Sequence, residues 1–591
     1  MTSRKPIRLW PGLIAVVLLC IARFGVKAVV PGFAGFALGM QWMLGIAALI
    51  LVWWTFFSRV RWSERLGTLL LMVAGVGAAW MLRHESMGPF WLVAYVVPAM
   101  SVALVAGTAV TRRLSEGTRR AGMAAIILFA CGVWTLVRMD GISGDHYAMF
   151  RWRWAKSSEE RLLTQAVTSE TPAPPPAMPT AAPPKEQPVD VVRTAPAVLT
   201  SPPAAVPARV EWPGFRGPDR DGLTRGIRIA TDWSASPPVE MWRRSIGPGW
   251  SSFAVRGDLI YTQEQRGDDE VVACYRASTG APVWVHRDPV RFFEANAGAG
   301  PRGTPTLSDG RVYTFGATGI ANALDDRDGA VLWSRNAAAD TEVEVPYWGF
   351  SSSPLVVGDV LIAAVYGRLI GYDLATGKPR WLGPTGAGSY SSPQLATIDG
   401  IAQVVLMGGE GARSFSPADG KLLWEHRWRG LPIVQPAMTP DGGLLISASS
   451  DSGTRRLAVE HGAAGWTVEE RWTSTGLKPY FNDFVVHEGH AFGFDGRILA
   501  CIDLQDGARK WKGGRYGNGQ LILLPEQDLL LVLSDEGELA LVKATPDQFT
   551  ELARVPAIHG KTWNHPVLVG NVLLVRNGEE MAAFRLTRAS Q

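Results

Sequence analysis

The side chains that could do chemistry fall in short clusters, one after another, along the C-terminal part of the chain. They are Trp250-Ser-Ser252, Arg302-Gly-Thr304, Trp348-Gly-Phe-Ser-Ser-Ser353 and Tyr390-Ser-Ser392. Gln435, Tyr480-Phe-Asn-Asp483, Asn518-Gly-Gln520 and Trp563-Asn-His565 follow. Brought together, they offer a cation (Arg302), a carboxylate (Asp483), amides, an imidazole (His565) and several flat aromatic faces. Such a set suits a planar, anionic ligand. The other reading is that these residues hydrate a narrow channel and cap strand ends. His487-Glu-Gly-His490 is not read as a metal site, because Glu488-Gly489 makes a turn where a zinc pair needs a helix. Asp268-Asp269-Glu270 reads as a hairpin tip.

A repeat is what could converge these clusters. Its clearest copy is Tyr372-Asp-Leu-Ala-Thr-Gly-Lys-Pro-Arg-Trp381, a strand, a tight turn and a second strand. Copies end at Trp284, Trp333, Trp381, Trp424 and Trp511, each with a glycine four residues earlier, and a degenerate copy ends at Trp472. A weaker one surrounds Ala540 to Phe549. The tryptophans are 49, 48, 43, 48 and 39 residues apart, a period that matches propeller blades of four short strands. Seven complete units run from about Trp250 to Ile558. The last segment, Trp563 to Leu586, supplies three strands, and Val239-Glu-Met-Trp242 is a strand ending in tryptophan with no cassette before it. Joining the two makes an eighth blade and leaves no open interface between blades. The expected fold is thus an all-β, eight-bladed propeller over residues 211–591, with an N-terminal strand closing the last blade. Cys274 and Cys501 occupy the small position facing the tryptophan and read as buried spacers.

The rest of the chain is of a different kind. Length, 591 residues, demands more than one part, and 47% hydrophobic content is high for a wholly soluble protein. A net charge of only +4 gives no reason to expect a nucleic-acid partner. Five apolar runs, roughly 11–30, 34–57, 66–82, 88–110 and 120–138, predict a transmembrane domain of five helices over residues 1–140, with the lipid bilayer as partner. Arg4, Lys5 and Arg8 precede the first run. Arg59, Arg61 and Arg65 follow the second, and Arg112, Arg113, Arg119 and Arg120 follow the fourth. Positive-inside logic then places the N-terminus in the cytoplasm and the C-terminal part outside a bacterial inner membrane, in the periplasm. Residues 141–210 read as a charged segment followed by a spacer, because Pro172 to Pro207 is mostly Pro, Ala, Thr and Val.

The cassettes Ala323–Trp333 and Gly371–Trp381, with the opening Trp212-Pro-Gly-Phe-Arg-Gly-Pro-Asp-Arg-Asp-Gly222, resemble the tryptophan-docking repeat of the pyrroloquinoline quinone (PQQ) propeller superfamily. That superfamily holds quinoprotein dehydrogenases and also non-enzymatic propellers such as the BamB subunit of the outer-membrane assembly machinery. The resemblance implies two alternatives. One is a membrane-anchored envelope binding or scaffold module with an envelope protein as partner. The other is a membrane-bound dehydrogenase that oxidises an alcohol or sugar and passes electrons to ubiquinone. Under the second, PQQ and Ca²⁺ are the cofactors. Arg302 or Lys478 would meet the quinone carboxylates, with Thr304, Ser352, Ser392 and Gln435 donating hydrogen bonds and Trp348, Tyr390 and Trp563 stacking. Asn482, Asp483 and Asn564 would offer oxygens to Ca²⁺, and Asp483, then His565, would act as base. Against it stand the missing adjacent cysteines, the missing Cys-x-x-Cys-His haem motif and the compact repeats.

Overall fold

The computed structural model describes residues 8–30, 32–143, 147–169, 211–449 and 451–589. Arg4, Lys5 and the spacer from Pro172 to Pro207 lie outside them. Among the described residues three helices are long and apolar enough to cross a membrane: Gly35–Phe57, Trp62–Leu82 and Pro89–Thr111. The first apolar run is a shorter helix, Trp10–Cys20, continued through a π-turn at Ile21–Gly25. The last run, expected to reach residue 138, is corrected. Its helix, Glu116–Gly132, has 17 residues, and the chain turns into a strand at Val137. Val133, Thr135 and Val137 are β-branched, which weakens the helix. Arg138 and Asp140 then find ion partners in a hairpin.

That hairpin, Val137–Ile142 with Ala148–Trp152, and the helix Ser158–Ser169 after it are folded against the propeller. Ile142 donates its backbone N–H to Asn296 (2.7 Å). Arg151 pairs with Glu579 (2.9 Å), and Glu159 holds Arg291 through both oxygens (2.8 and 3.0 Å). Trp91, at the start of Pro89–Thr111, donates its indole N–H to the Asn296 side chain (3.2 Å).

The propeller has eight sheets, each built outward from a short inner strand. In the third blade the second strand, Val360–Val365, is buried along its whole length, whereas the outer strand Pro379–Leu382 buries only Trp381. An all-apolar run therefore suits the middle of a blade and an alternating one its rim. The eighth blade consists of Val567–Val569, Val572–Arg576 and Glu580–Arg585, with Val239–Ser245 as its outer strand and Trp242 opposite Ala583.

Successive blades are joined by the cassette tryptophans. Trp242 donates its indole N–H to Ala277 O (2.8 Å), Trp284 to Asp326 O (3.1 Å), Trp333 to Leu374 O (3.1 Å) and Trp381 to Pro417 O (3.1 Å). Trp472 and Trp511 do the same to Leu504 O (2.9 Å) and Thr545 O (2.7 Å). Every acceptor belongs to the next blade, and in most cases the ring lies on that blade's turn glycine. Gly377 illustrates both demands on such a glycine: its φ is +69°, and a Cβ there would meet the Trp333 ring at 2.5 Å. Gly358 has a similar φ of +58° but open space around it. Replacing each with alanine separates strain from docking. Gly358→Ala is expected to cost about 1 kcal/mol. Gly377→Ala is expected to cost roughly 2–4 kcal/mol because the indole must also move. Thermal melting of the two variants would show it, and equal shifts would refute the docking role.

Residues 211–230 cross the ring at one end of the central channel. Trp212 pairs with Val255 of blade 1, and Pro213 O accepts from Leu307 of blade 2 (2.7 Å). Arg220 donates to Pro354 O and Ser353 O of blade 3 (2.9 and 3.1 Å), and Asp219 O accepts from Gln394 of blade 4 (3.1 Å). Arg216 donates to Phe484 O of blade 6 (2.7 Å), and Gly222 O accepts from Leu523 of blade 7 (2.9 Å). Arg216 and Arg220 have φ of +61° and +55°. Such backbone strain, about 1–2 kcal/mol each, persists only where the surroundings over-determine it. The buried guanidinium contacts supply that determination.

One expected surface feature is inside. Asp268 is at the hairpin turn, but Glu270 is buried between blades 1 and 2, accepting from Ala317 N (3.1 Å) and Thr318 Oγ1 (3.2 Å). Its strand position points it inward, which the acidic run concealed. Burial pushes its carboxyl up to about 7, against those two hydrogen bonds. The folded state therefore holds a proton that the unfolded chain has lost. This contribution is whole below about pH 4.5 and is lost as pH rises towards 7. Glu270→Gln is expected to raise the melting temperature at pH 8 and leave it nearly unchanged at pH 4.5. A variant that melts lower at pH 8 would overturn the assignment.

Candidate functional site

The inner ends of the blades enclose a cavity of about 550 Å³ at the channel mouth opposite the crossing segment's outer side. Phe215, carried by that segment, forms part of its lining and meets the His565 ring edge-on at 4.9 Å. Trp250, Phe481 and Trp563 make one aromatic group, with ring centres 4.9 and 4.8 Å apart, and Trp348 lies 4.8 Å from Tyr390. Ile142 and Ser143 of the hairpin complete the wall, together with Asn296.

Eight of the expected site residues line this cavity: Arg302, Trp348, Tyr390, Ser392, Gln435, Asp483, Trp563 and His565. Five do not. Thr304 accepts from Ser252 N (2.9 Å), Ser352 accepts from Ala364 N (3.4 Å), and Asn482 accepts from Tyr480 N (2.9 Å). Asn564 donates to Gly249 O and Ser251 O (3.2 and 2.7 Å). Lys478 is outside, 3.9 Å from Asp495. Those side chains serve the fold.

A collar of hydrogen bonds explains why small polar residues recur at the strand starts. The N–H of Ser252 goes to the Thr304 hydroxyl, that of Thr304 to Ser353 and that of Ser353 to Ser392, each at 2.9 Å and each from one blade to the next. Between blades 5 and 6 the same kind of bond runs from Gln435 N to Asp483 Oδ1 (2.8 Å). Asp483 thus occupies, with a carboxylate, the place that hydroxyls hold elsewhere. Burial pushes its pKa up, but Arg216, His565 and the Gln435 N–H outweigh that and hold it below the ordinary carboxylate range. His565 Nε2 is 3.4 Å from Asp483 Oδ2 without hydrogen-bond alignment. Burial lowers the imidazole pKa more than Asp483 raises it, so the ring is neutral at pH 7.

These residues do not fit PQQ. Arg302, the single Lys or Arg among the described lining residues, uses four of its five N–H donors within the protein. It donates to Trp348 O (3.1 Å), Gly298 O (2.9 Å) and Gly300 O, and pairs with Glu294 (3.2 Å). A polycarboxylate quinone would find at most one free guanidinium N–H, and no two-pronged pairing, without breaking those bonds. Lys561 is nearby but lies against the faces of Trp250 and Trp563 (5.0 and 4.5 Å), next to Gly141 of the hairpin. Burial pushes its pKa down to about 8. Ca²⁺ asks for about six to eight oxygens. Asp483 is committed to the collar and Asn482 Oδ1 to Tyr480 N, which leaves Asn564 Oδ1 unengaged and far short of that number. The group of three possible metal ligands found among the described residues, His487, Glu488 and Asp528, is elsewhere and largely exposed.

Sequence reasoning missed Phe215, the hairpin residues and Asn296. Arg216 and Arg220 carried a signal, two arginines in a Gly- and Pro-rich opening, but nothing local says that this opening crosses a ring.

Comparison with known proteins agrees with the architecture. The family model described as "Outer membrane protein assembly factor BamB" matches residues 239–410 and 392–520. BamB of Yersinia pestis is 23% identical over 327 residues, covering 51% of this chain and 70% of that protein. Quinohemoprotein alcohol dehydrogenase ADH-IIG of Pseudomonas putida is 28% identical over 212 residues, 33% of this chain but only 28% of that enzyme. The crystal structure of BamB from Moraxella catarrhalis superposes with a TM-score of 0.44 at 16% identity, over 60% of this chain and 99% of that one. In its tryptophan-latched, eight-bladed ring and in these sequence matches the chain is similar to the PQQ-repeat β-propellers, BamB and the quinohemoprotein alcohol dehydrogenases among them.

Proposed function

We propose that this chain is a membrane-anchored propeller of the bacterial envelope that binds a ligand or partner at its channel mouth and does not turn it over. The observation that carries the reading is the state of the polar groups there. Arg302 is engaged by three backbone carbonyls and Glu294, and Asp483 by the collar. The groups a quinone dehydrogenase would direct at its cofactor are here holding blades together. Relatives named as outer membrane protein assembly factors support an envelope protein as partner. The five-span arrangement in the inner membrane, with cytoplasmic N-terminus and periplasmic propeller, rests on the apolar helices and on the basic residues at 59–65 and 112–120.

The alternative, a PQQ-dependent dehydrogenase reducing ubiquinone, has two observations in its favour: Asp483 and His565 face each other in the cavity, and quinohemoprotein alcohol dehydrogenases are among the sequence relatives. Titrating the full chain with PQQ and Ca²⁺ decides between them. The expected result is no retained quinone absorbance and no dye reduction with alcohols or sugars. Turnover that disappears in Asp483→Ala would establish the dehydrogenase. For the topology, protease added to intact spheroplasts is expected to degrade the propeller, and full protection would reverse the orientation.

A further inference from the structure

The cavity has a wall contributed by the membrane side of the molecule. Asn296 on its rim accepts the Trp91 indole N–H from the start of an apolar helix, and Ile142 and Ser143 come from the hairpin that follows the last helix. Arg153, next to that hairpin, donates to Leu82 O (3.4 Å) and Thr135 O (3.1 Å), where two helices end. Trp152 and Trp154, stacked at 5.0 Å and half or more exposed, flank it, and exposed tryptophans beside helix ends are a mark of a membrane interface. The mouth of the cavity is therefore beside the ends of the helices, within reach of a molecule dissolved in the outer half of a bilayer.

The lining says what kind of molecule. Most of it is aromatic and aliphatic: Trp250, Trp348, Phe481 and Trp563, with Leu431 and Ile433. Four lining side chains, Gln435, Gln520, Trp563 and His565, each keep a buried polar atom with no hydrogen-bond partner among the described residues, although His565 Nε2 is 3.4 Å from Asp483 Oδ2. Gln435 and Gln520 are both 2% exposed. Gln520 donates its amide nitrogen to Phe481 O and Trp563 O (3.3 and 3.0 Å), so its unpartnered atom is an acceptor. An unpaired buried acceptor is costly, about 1–3 kcal/mol, and a hydroxyl would relieve it. An anionic head finds no free cation on the lining, since Arg302 is engaged, His565 is neutral and Lys561 lies behind the Trp250 and Trp563 rings, and the lining carboxylate Asp451 repels it.

We propose that the cavity binds an uncharged amphiphile drawn from the membrane, with a hydroxyl-bearing head among Gln435, Gln520 and His565 and an apolar chain along the aromatic wall. This rests on the reading of the mouth as a binding site that holds no quinone. The aromatic wall supplies most of the affinity, and the two amides supply the discrimination between a hydroxyl head and an anionic one.

The test uses the full chain in nanodiscs and counts bound probe by native mass spectrometry. The probes are monooctanoin, octanoate and glycerol. Monooctanoin is expected to bind one per chain, with octanoate and glycerol at least tenfold weaker. The double variant Gln435→Leu/Gln520→Leu is expected to lose about tenfold in affinity for monooctanoin. Ile433→Trp, which fills the cavity from the loop before the inner strand Ala437–Met438 and leaves both amides in place, is expected to abolish binding and covers the case in which the first variant folds poorly. Octanoate binding as tightly as monooctanoin would overturn the proposal, as would binding untouched by Ile433→Trp. Binding of PQQ in the same assay would overturn the non-enzymatic reading. Failure of all four molecules to bind would overturn only the amphiphile.

Discussion

The indole–carbonyl latch between neighbouring blades is the contact on which the rest depends. A blade is a small twisted sheet with two apolar faces, and it cannot bury both alone. Trp333 shows how the next blade is held: its ring lies on Gly377 and its N–H reaches Leu374 O. The glycine must have positive φ to make the turn and no side chain to leave room for the ring. One residue thus meets a backbone demand and a packing demand together. The latch is missing twice: blade 7 has no tryptophan in its outer strand, Glu551–Pro556, and Trp424 donates to Gln403 of its own blade (2.6 Å). Blade 5 offers a long hairpin, Thr454–Gly462 with Gly465–Ser474, in place of the cassette turn. The ring tolerates this because the packed faces on either side still close.

A second consequence concerns charge. The centre of the ring is where strand ends leave unpaired backbone groups, and here the protein satisfies them with side chains. Hydroxyls of Thr304, Ser353 and Ser392 and the carboxylate of Asp483 accept backbone N–H groups. Arg216, Arg220 and Arg302 donate to carbonyls. Ionised groups in such positions make strong hydrogen bonds but are withdrawn from ligand chemistry. What is left facing the cavity is largely aromatic and uncharged, with Asp451 as an exposed carboxylate on the lining. The same physics that makes the mouth rigid therefore narrows what it can bind.

Much of the architecture was legible because the repeat is written in local terms. Gly377 and Trp381 lie in one cassette, and spacing alone separates blades. The helical runs were visible too, but their ends were not: Val133–Val137 is apolar enough to extend a helix and branched enough to leave it. At the site, the clusters around Trp348, Tyr390 and Trp563 were found from position in the repeat. Their roles were not, since whether Arg302 faces a ligand or Gly298 O depends on a loop folded back upon it. Glu270 was misread for the same reason, as strand phase rather than acidity put it inside.

The sequence by itself determined the period, the number of blades and the residues that latch them, because each latch is encoded within about ten neighbours and repeats. Only the tertiary structure decided that residues 211–230 cross the ring and that the hairpin after residue 136 covers its mouth. It also decided that the arginines and Asp483 are consumed in holding it closed. Those contacts join positions hundreds of residues apart, such as Arg216 with Phe484 and Trp91 with Asn296. They arise from which buried carbonyls and N–H groups lack partners once the ring has formed, and no local pattern records that.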